Sequence, residues 1–141
     1  MSVYYLLIAN QTLDSPALRD WVARVSSSGD CRFHVVVPAT RVEHRFTWTE
    51  GEALARARRR LGEAIEEFSA LGVPVEGEVG DENPILAAFD AILQWRYDAI
   101  VVSTLPRGLS RWLRLDVVSR LRRETRLPVI HVEAPALAEV G

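Results

Sequence analysis

The sequence has no lysine, a single cysteine and no long apolar run, and each absence narrows what the chain can be. The lone Cys31 cannot form an internal disulfide, and because it opens an apolar run we expect a buried, unreactive thiol. No stretch reaches the about 18 apolar residues that a membrane-spanning helix needs. The amino terminus lacks a basic start, which predicts no signal peptide and makes a cytoplasmic protein the default expectation.

Charge is balanced over the whole chain but not along it. The 17 arginines and 19 acidic residues give a net charge of −2, so we expect neither a nucleic-acid nor a membrane partner. Between Ser103 and Arg126, however, seven arginines accompany only Asp116 and Glu124, a local excess of five positive charges. This excess can attract an anion, although a solvated helix face is the better explanation for most of these arginines.

Apolar runs alternate with segments of helical periodicity. The runs predict five strands, at Val3–Ala9, Arg32–Val37, Val73–Val79, Ala99–Val102 and Val129–Val132. The periodic segments predict four helices, which begin at Pro16, Thr49, Pro84 and Ser110. This alternation predicts one α/β domain over residues 1–133, with a parallel sheet covered by helices on both faces. Residues 134–141 show no periodicity, so we expect a flexible tail.

Polar residues follow two of the predicted strands. If strand one is central, a ligand crevice should lie beyond the carboxyl ends of strands one and four. The loop after strand one supplies the amide of Asn10 and the hydroxyl of Thr12. The loop after strand four supplies a larger set, which consists of Ser103, Thr104, Arg107, Gly108, Ser110 and Arg111. We predict an anion site here, near a helix N-terminus.

The order of elements, the segment GDENPILAAF and the segment GLSRWLRLDVVSRLRRETRLPVIHV resemble the universal stress protein family over roughly residues 3–133. The resemblance implies an open, Rossmann-like sheet of the adenine nucleotide alpha hydrolase type, with strand order 3-2-1-4-5. It also implies a homodimer formed through the fifth strand, at Val129, Ile130, His131 and Val132. One branch of the family binds ATP through a G-x2-G-x9-G-[ST] loop.

The ATP-binding residues of that branch are only partly matched. Asn10 stands at the acidic position after strand one, and Ser103 stands at the first glycine. The second glycine has no counterpart, and the final Gly-Ser pair falls on Leu115 and Asp116. Asp116 near a phosphate, at ~5 Å and an effective dielectric of ~20, costs about 3 kcal/mol. Arginines or a magnesium ion held by Asp116 can offset that repulsion, so ATP or another adenine nucleotide with magnesium stays open as a cofactor.

Other chemistry has less support. His34, His44 and His131 are scattered without metal spacing, and no nucleophile has an evident base, so we predict no metal site and no enzyme. The loop at 41–48 mixes cations with Phe46 and Trp48, which either cover the crevice or anchor the loop.

The leading hypothesis is a non-catalytic stress-response or regulatory module that resembles universal stress proteins. It would not bind ATP tightly and would act through dimerisation and protein association. The alternative is a nucleotide or anion sensor that uses the crevice between strands one and four.

Overall fold

The computed structural model describes residues 2–40 and 48–135. In chain order the elements are β1 (Val3–Ile8), α1 (Pro16–Ser28), β2 (Cys31–Thr40), α2 (Trp48–Ala70), β3 (Val75–Asp81), α3 (Pro84–Gln94), β4 (Ala99–Thr104), α4 (Arg111–Arg114), α5 (Val117–Thr125) and β5 (Val129–Glu133). None of the helices in the described part is long and apolar enough to cross a membrane.

All five strands form one parallel sheet in the order β3-β2-β1-β4-β5, which confirms the predicted fold class. Strand β1 is central: Leu6 pairs with His34 of β2 on one side and with Ile100 of β4 on the other. The chain therefore leaves β1 towards one edge of the sheet and leaves β4 towards the other.

Helices cover both faces of the sheet, as predicted. One core packs α1 and α2 onto the sheet around Leu18, Val22 and Phe68. The other packs α3 and α5 onto the opposite face around Ala88, Ile100 and Leu121. The central strands are apolar on both faces because each face is covered by helices.

Three predicted strands were too short, β5 by one residue and β2 and β4 by more. Strand β2 continues past Val37, its predicted end, and through Pro38 to Thr40. Proline is tolerated there because β1 has already ended opposite Val36, so no β1 carbonyl requires an N–H at position 38. Strand β4 includes Ser103 and Thr104, which were placed in a loop but pair with Val132 and Glu133 of β5.

The predicted fourth helix is broken into α4 and α5. Asp116 lies between them in the left-handed conformation, with φ of 57°. A residue in this conformation cannot continue a right-handed helix, and aspartate tolerates it better than most residues. The chain thus turns at Asp116 before α5 packs onto the sheet.

Smaller differences between prediction and structure concern the ends of other elements and the burial of Cys31. Helix α2 begins at Trp48 rather than after a Thr49 cap, and β3 spans Val75–Asp81 rather than Val73–Val79. Cys31 is half-buried rather than buried, and burial raises the pKa of its thiol. In the expected tail, the Ala134 N–H still donates to the Thr104 carbonyl at 2.9 Å, and residues 136–141 lie outside the described part of the chain.

Candidate functional site

A crevice of about 250 Å³ opens at the carboxyl ends of β1 and β4. It lies where the chain direction across the sheet reverses, which is the usual ligand position in open α/β sheets. Its lining residues are Asn10, Gln11, Thr12, Pro38, Glu82, Ser103, Thr104, Leu105, Ser110, Arg111 and Trp112. Its volume is slightly below the 300–1,000 Å³ typical of small-molecule sites.

A pair of buried hydroxyls links the loop after β1 to strand β4 at the crevice. The Oγ1 of Thr12 and the Oγ of Ser103 are 2.6 Å apart, and both residues are almost fully buried. Each hydroxyl carries one proton and two lone pairs, so the pair retains hydrogen-bonding capacity towards a ligand.

A third hydroxyl connects the crevice to the edge of the sheet. Thr104 Oγ1 lies 2.7 Å from Nε2 of His131 on β5. Burial lowers the pKa of His131, and the positive charges of Arg122 and Arg107 lower it further against the opposing effect of Glu133. His131 is therefore held in its neutral form at neutral pH, as a partner of Thr104.

Asn10 is held on both sides of its amide. Its Nδ2 donates to the Pro38 carbonyl at 3.0 Å, and its Oδ1 accepts from the Arg60 guanidinium of α2 at 2.7 Å. Asn10 thus connects the loop after β1 with β2 and α2, and it keeps one N–H and one lone pair for a ligand. Sequence reasoning missed Arg60, because nothing in its spacing separates it from the neighbouring Arg58 and Arg59.

The loop from Leu105 to Ser110 has few backbone donors left. Pro106 has no N–H, and its carbonyl accepts from the N–H groups of Leu109 at 2.9 Å and Ser110 at 3.1 Å. The Arg107 N–H donates to the Glu133 carboxylate at 3.3 Å. Four of the six residues therefore offer no free N–H, whereas phosphate-binding loops depend on several converging N–H groups.

The structure brings together six of the nine residues that were predicted to bind a ligand. They are Asn10, Thr12, Ser103, Thr104, Ser110 and Arg111. Arg107, Gly108 and Asp116 are exposed and do not line the crevice. Because Asp116 lies outside the crevice, its position supports neither the expected repulsion of a bound phosphate nor a magnesium ion held between Asp116 and a ligand in the crevice. That the six bind a ligand remains a prediction.

The helix terminus beside the crevice is less favourable for an anion than expected. Helix α4 has only four residues, and Ser110 Oγ already accepts from the Leu113 N–H at 3.2 Å.

No group of three or more histidine, cysteine or acidic residues in the described ranges is arranged to hold a metal ion. The predicted aromatic loop at 41–48 has no described side chains, so its relation to the crevice lies outside the described residues.

By sequence alone, the chain matches no protein-family model and no curated protein. Solved structures match by shape. A universal stress protein from Archaeoglobus fulgidus has a TM-score of 0.65 and 18% identity, over 92% of this chain and 93% of its own. A universal stress protein family protein from Arabidopsis thaliana with AMP bound has 0.66 and 14%, over 95% and 93%.

A third similar structure is a universal stress protein in complex with cAMP, with a TM-score of 0.65 and 16% identity, over 94% of this chain and 98% of its own. These similarities extend over nearly the whole length of both chains, and the strand order agrees with the order that the sequence resemblance implied. The chain therefore has the universal stress protein fold.

Proposed function

We propose that this protein is a non-catalytic, cytoplasmic regulatory or stress-response module that does not hold ATP tightly. The observation that carries this proposal is the hydrogen bonding of the loop after β4. The N–H groups of Arg107, Leu109 and Ser110 are already bonded within the protein. A triphosphate would have to replace those bonds, and it would meet the carboxylate of Glu133 beside the loop.

Two further features support the proposal. The crevice volume of about 250 Å³ is small for a nucleoside triphosphate. In the described part of the chain, neither Thr12 nor Ser103 is hydrogen-bonded to a histidine or a carboxylate, so neither of these two hydroxyls has a base to activate it as a nucleophile. Thr104 does have a histidine partner, His131, at 2.7 Å, and the ATP hydrolysis assay below tests whether that pair is catalytic.

Isothermal titration with MgATP tests the first part of the proposal. We expect no saturable heat below millimolar ligand, because the binding energy of the phosphates would be offset by the loop bonds they break. A dissociation constant in the low micromolar range would refute this part. Sustained ATP hydrolysis by the purified protein would refute the non-catalytic assignment.

The route of action in this proposal is association through β5, with a second copy or another protein. Strand β5 is an edge strand, and by parallel alternation the backbone of Val129, His131 and Glu133 points away from β4. Arg122 donates to the Val129 carbonyl at 3.0 Å, which leaves His131 and Glu133 to pair with a partner strand.

Sedimentation at tens of micromolar tests this association. We expect a dimer that Ile130→Arg weakens at least tenfold, because the half-buried Ile130 lies in the pairing strand. Val75→Arg is the matched control, since Val75 is a half-buried residue in β3 at the opposite edge of the sheet. A monomer in the unmodified protein would refute the self-association.

A second candidate function is a sensor of a smaller nucleotide. The specific observation in its favour is the free hydrogen-bonding capacity of Thr12 and Ser103 beside the exposed Arg111 at the crevice wall. Two proteins of the same fold carry AMP or cAMP. A nucleoside monophosphate needs fewer phosphate contacts than ATP. The loop after β4, whose N–H groups are already hydrogen-bonded, is therefore a smaller obstacle to its binding.

A thermal-shift titration with AMP, cAMP, MgATP and inorganic phosphate tests the sensor. Binding to the folded state raises the melting temperature by mass action. We expect a saturable rise with AMP or cAMP that Arg111→Gln reduces, because a charge-assisted bond to phosphate contributes about 1.5–3 kcal/mol. Arg123→Gln, an exposed arginine of α5 away from the crevice, is the control. No rise up to millimolar ligand would refute the sensor.

A further inference from the structure

The segment from Arg107 to Leu115 combines exposed leucines with arginines. Leu109 is 62% exposed and Leu115 is 50% exposed, so two large aliphatic side chains of this segment face water. No acidic residue occurs between Arg107 and Leu115. We call residues 107–115 the leucine–arginine segment.

The helical geometry of α4 separates two faces of this segment. Successive residues of an α-helix are about 100° apart, so Arg111, Arg114 and Leu115 share one side. These three residues are exposed, whereas Trp112 and Leu113 pack against the core below. Leu109 precedes α4 in the turn that the Pro106 carbonyl closes. The segment therefore presents a mixed apolar and cationic surface to solvent.

The positive charges of this surface are not neutralised within the described residues. Arg107, Arg111 and Arg114 make no ion pair among residues 2–40 and 48–135, in contrast to Arg120, which approaches Glu124 at 3.9 Å. The Glu133 carboxylate bonds the backbone N–H of Arg107 and not its guanidinium. Residues 107–115 thus carry a charge of +3 on a protein whose net charge is −2, and the nearby acidic groups are Asp116, which follows the segment, and Glu133.

We propose that the leucine–arginine segment docks on the surface of a bilayer that contains anionic phospholipid. Guanidinium groups pair with lipid phosphates, and exposed leucines gain free energy by entering the boundary between headgroups and acyl chains. A nucleic acid or a free phosphate ion would satisfy the arginines but would leave both leucines in water. The whole-chain charge predicted no membrane partner, but the charge near the surface decides this attraction because it decays within a Debye length.

Vesicle co-sedimentation of the full-length protein tests this proposal. We expect binding to vesicles of phosphatidylcholine with phosphatidylglycerol, little binding to pure phosphatidylcholine, and release by salt. Each arginine near an anionic surface strengthens binding about fivefold, so Arg107→Gln with Arg114→Gln should weaken it more than tenfold. Neither residue lines the crevice, so ligand binding there is left intact.

The leucines provide the decisive variants. Leu109→Ser with Leu115→Ser should weaken binding roughly tenfold, because burial of apolar area is lost while charge is kept. Leu93→Ser is the matched control, since Leu93 of α3 is 85% exposed and lies outside the segment. Unchanged melting temperatures show that the variants remain folded.

Three results would overturn the proposal. The first is no binding to the anionic vesicles. The second is equal binding by the leucine variant and the Leu93→Ser control, which would reduce the segment to a patch that attracts any anion. The third is release of the protein from the vesicles by a short RNA that binds the leucine variant as tightly as the unmodified protein. That result would assign the arginines to nucleic acid.

Discussion

Two groups of buried polar side chains lie at opposite ends of this sheet and differ in how completely they are hydrogen-bonded. At the carboxyl end, the hydroxyls of Thr12 and Ser103 bond each other, and Thr104 bonds His131. Towards the amino end, His34 and Tyr97 are equally buried, yet neither ring nitrogen of His34 nor the Tyr97 hydroxyl has a hydrogen-bond partner among the described residues.

The distances explain the difference. The nitrogens of His34 lie 3.8 Å from the carboxylates of Glu76 and Glu78, which is beyond hydrogen-bonding range. Tyr97 packs edge-on against His34, with ring centroids 5.9 Å apart. Buried polar groups without partners reduce stability, whereas paired ones fix geometry. The side chains at the crevice are therefore held in fixed positions, whereas the unpaired His34 and Tyr97 reduce the free energy of unfolding.

The largest expected effect is on the paired side. Thr12→Val keeps the shape of the side chain but leaves the buried Ser103 hydroxyl without its partner. We expect a loss of about 1–3 kcal/mol in the free energy of unfolding, measured by urea denaturation.

A double-mutant cycle isolates the hydroxyl pair. Thr12→Val with Ser103→Ala removes both polar groups, so the double variant should lose less stability than the sum of the single variants. Strictly additive losses would mean that the two hydroxyls, although 2.6 Å apart, do not depend on each other.

A smaller effect of opposite sign is expected at the unpaired side. Tyr97→Phe removes a buried hydroxyl that has no partner in the described ranges, so stability should stay constant or rise by up to about 1 kcal/mol. Tyr4→Phe is the matched control. The two rings are 4.8 Å apart, but the Tyr4 hydroxyl donates to Glu76 at 3.0 Å, so its loss should cost about 1 kcal/mol. If Tyr97→Phe destabilises the protein as much as Tyr4→Phe does, the Tyr97 hydroxyl is not an unpaired group, and the contrast between the two ends of the sheet fails.

The sequence was sufficient for the fold because periodicity is a property of each element. Alternating strand and helix patterns predicted the parallel sheet, and Pro16 and Pro84 marked helix starts that the structure keeps. The break at Asp116 was not predictable in this way, because the helical periodicity continues through it and only a backbone angle reveals the turn.

The site was predictable in position but not in detail. Strand ends placed Thr12, Ser103 and Arg111 around one crevice, as the switch-point rule requires. The long-range bonds that decide what the crevice can bind were not predictable. Arg60 reaches Asn10 from 50 residues away, and the Glu133 carboxylate occupies the Arg107 N–H from 26 away. Such contacts depend on packing between elements, which a local pattern does not encode.

The smallest expected effect concerns pH, and it tests whether pairing at the crevice has a cost of its own. Burial lowers the pKa of His131 below its ordinary value of 6.5, so below pH 6.5 the unfolded chain binds a proton that the folded protein binds more weakly. Stability from this group is therefore full above pH 6.5 and falls as the pH drops towards the lowered pKa. His131→Gln can still bond Thr104 but does not titrate, so its melting temperature should fall less on acidification than that of the unmodified protein. Other titrating groups are common to both proteins and cancel in the comparison. If the melting temperatures of the two proteins fall in parallel across this pH range, the Thr104–His131 bond tolerates the protonated ring. The Thr12–Ser103 pair would then be the contact that fixes the geometry of the crevice.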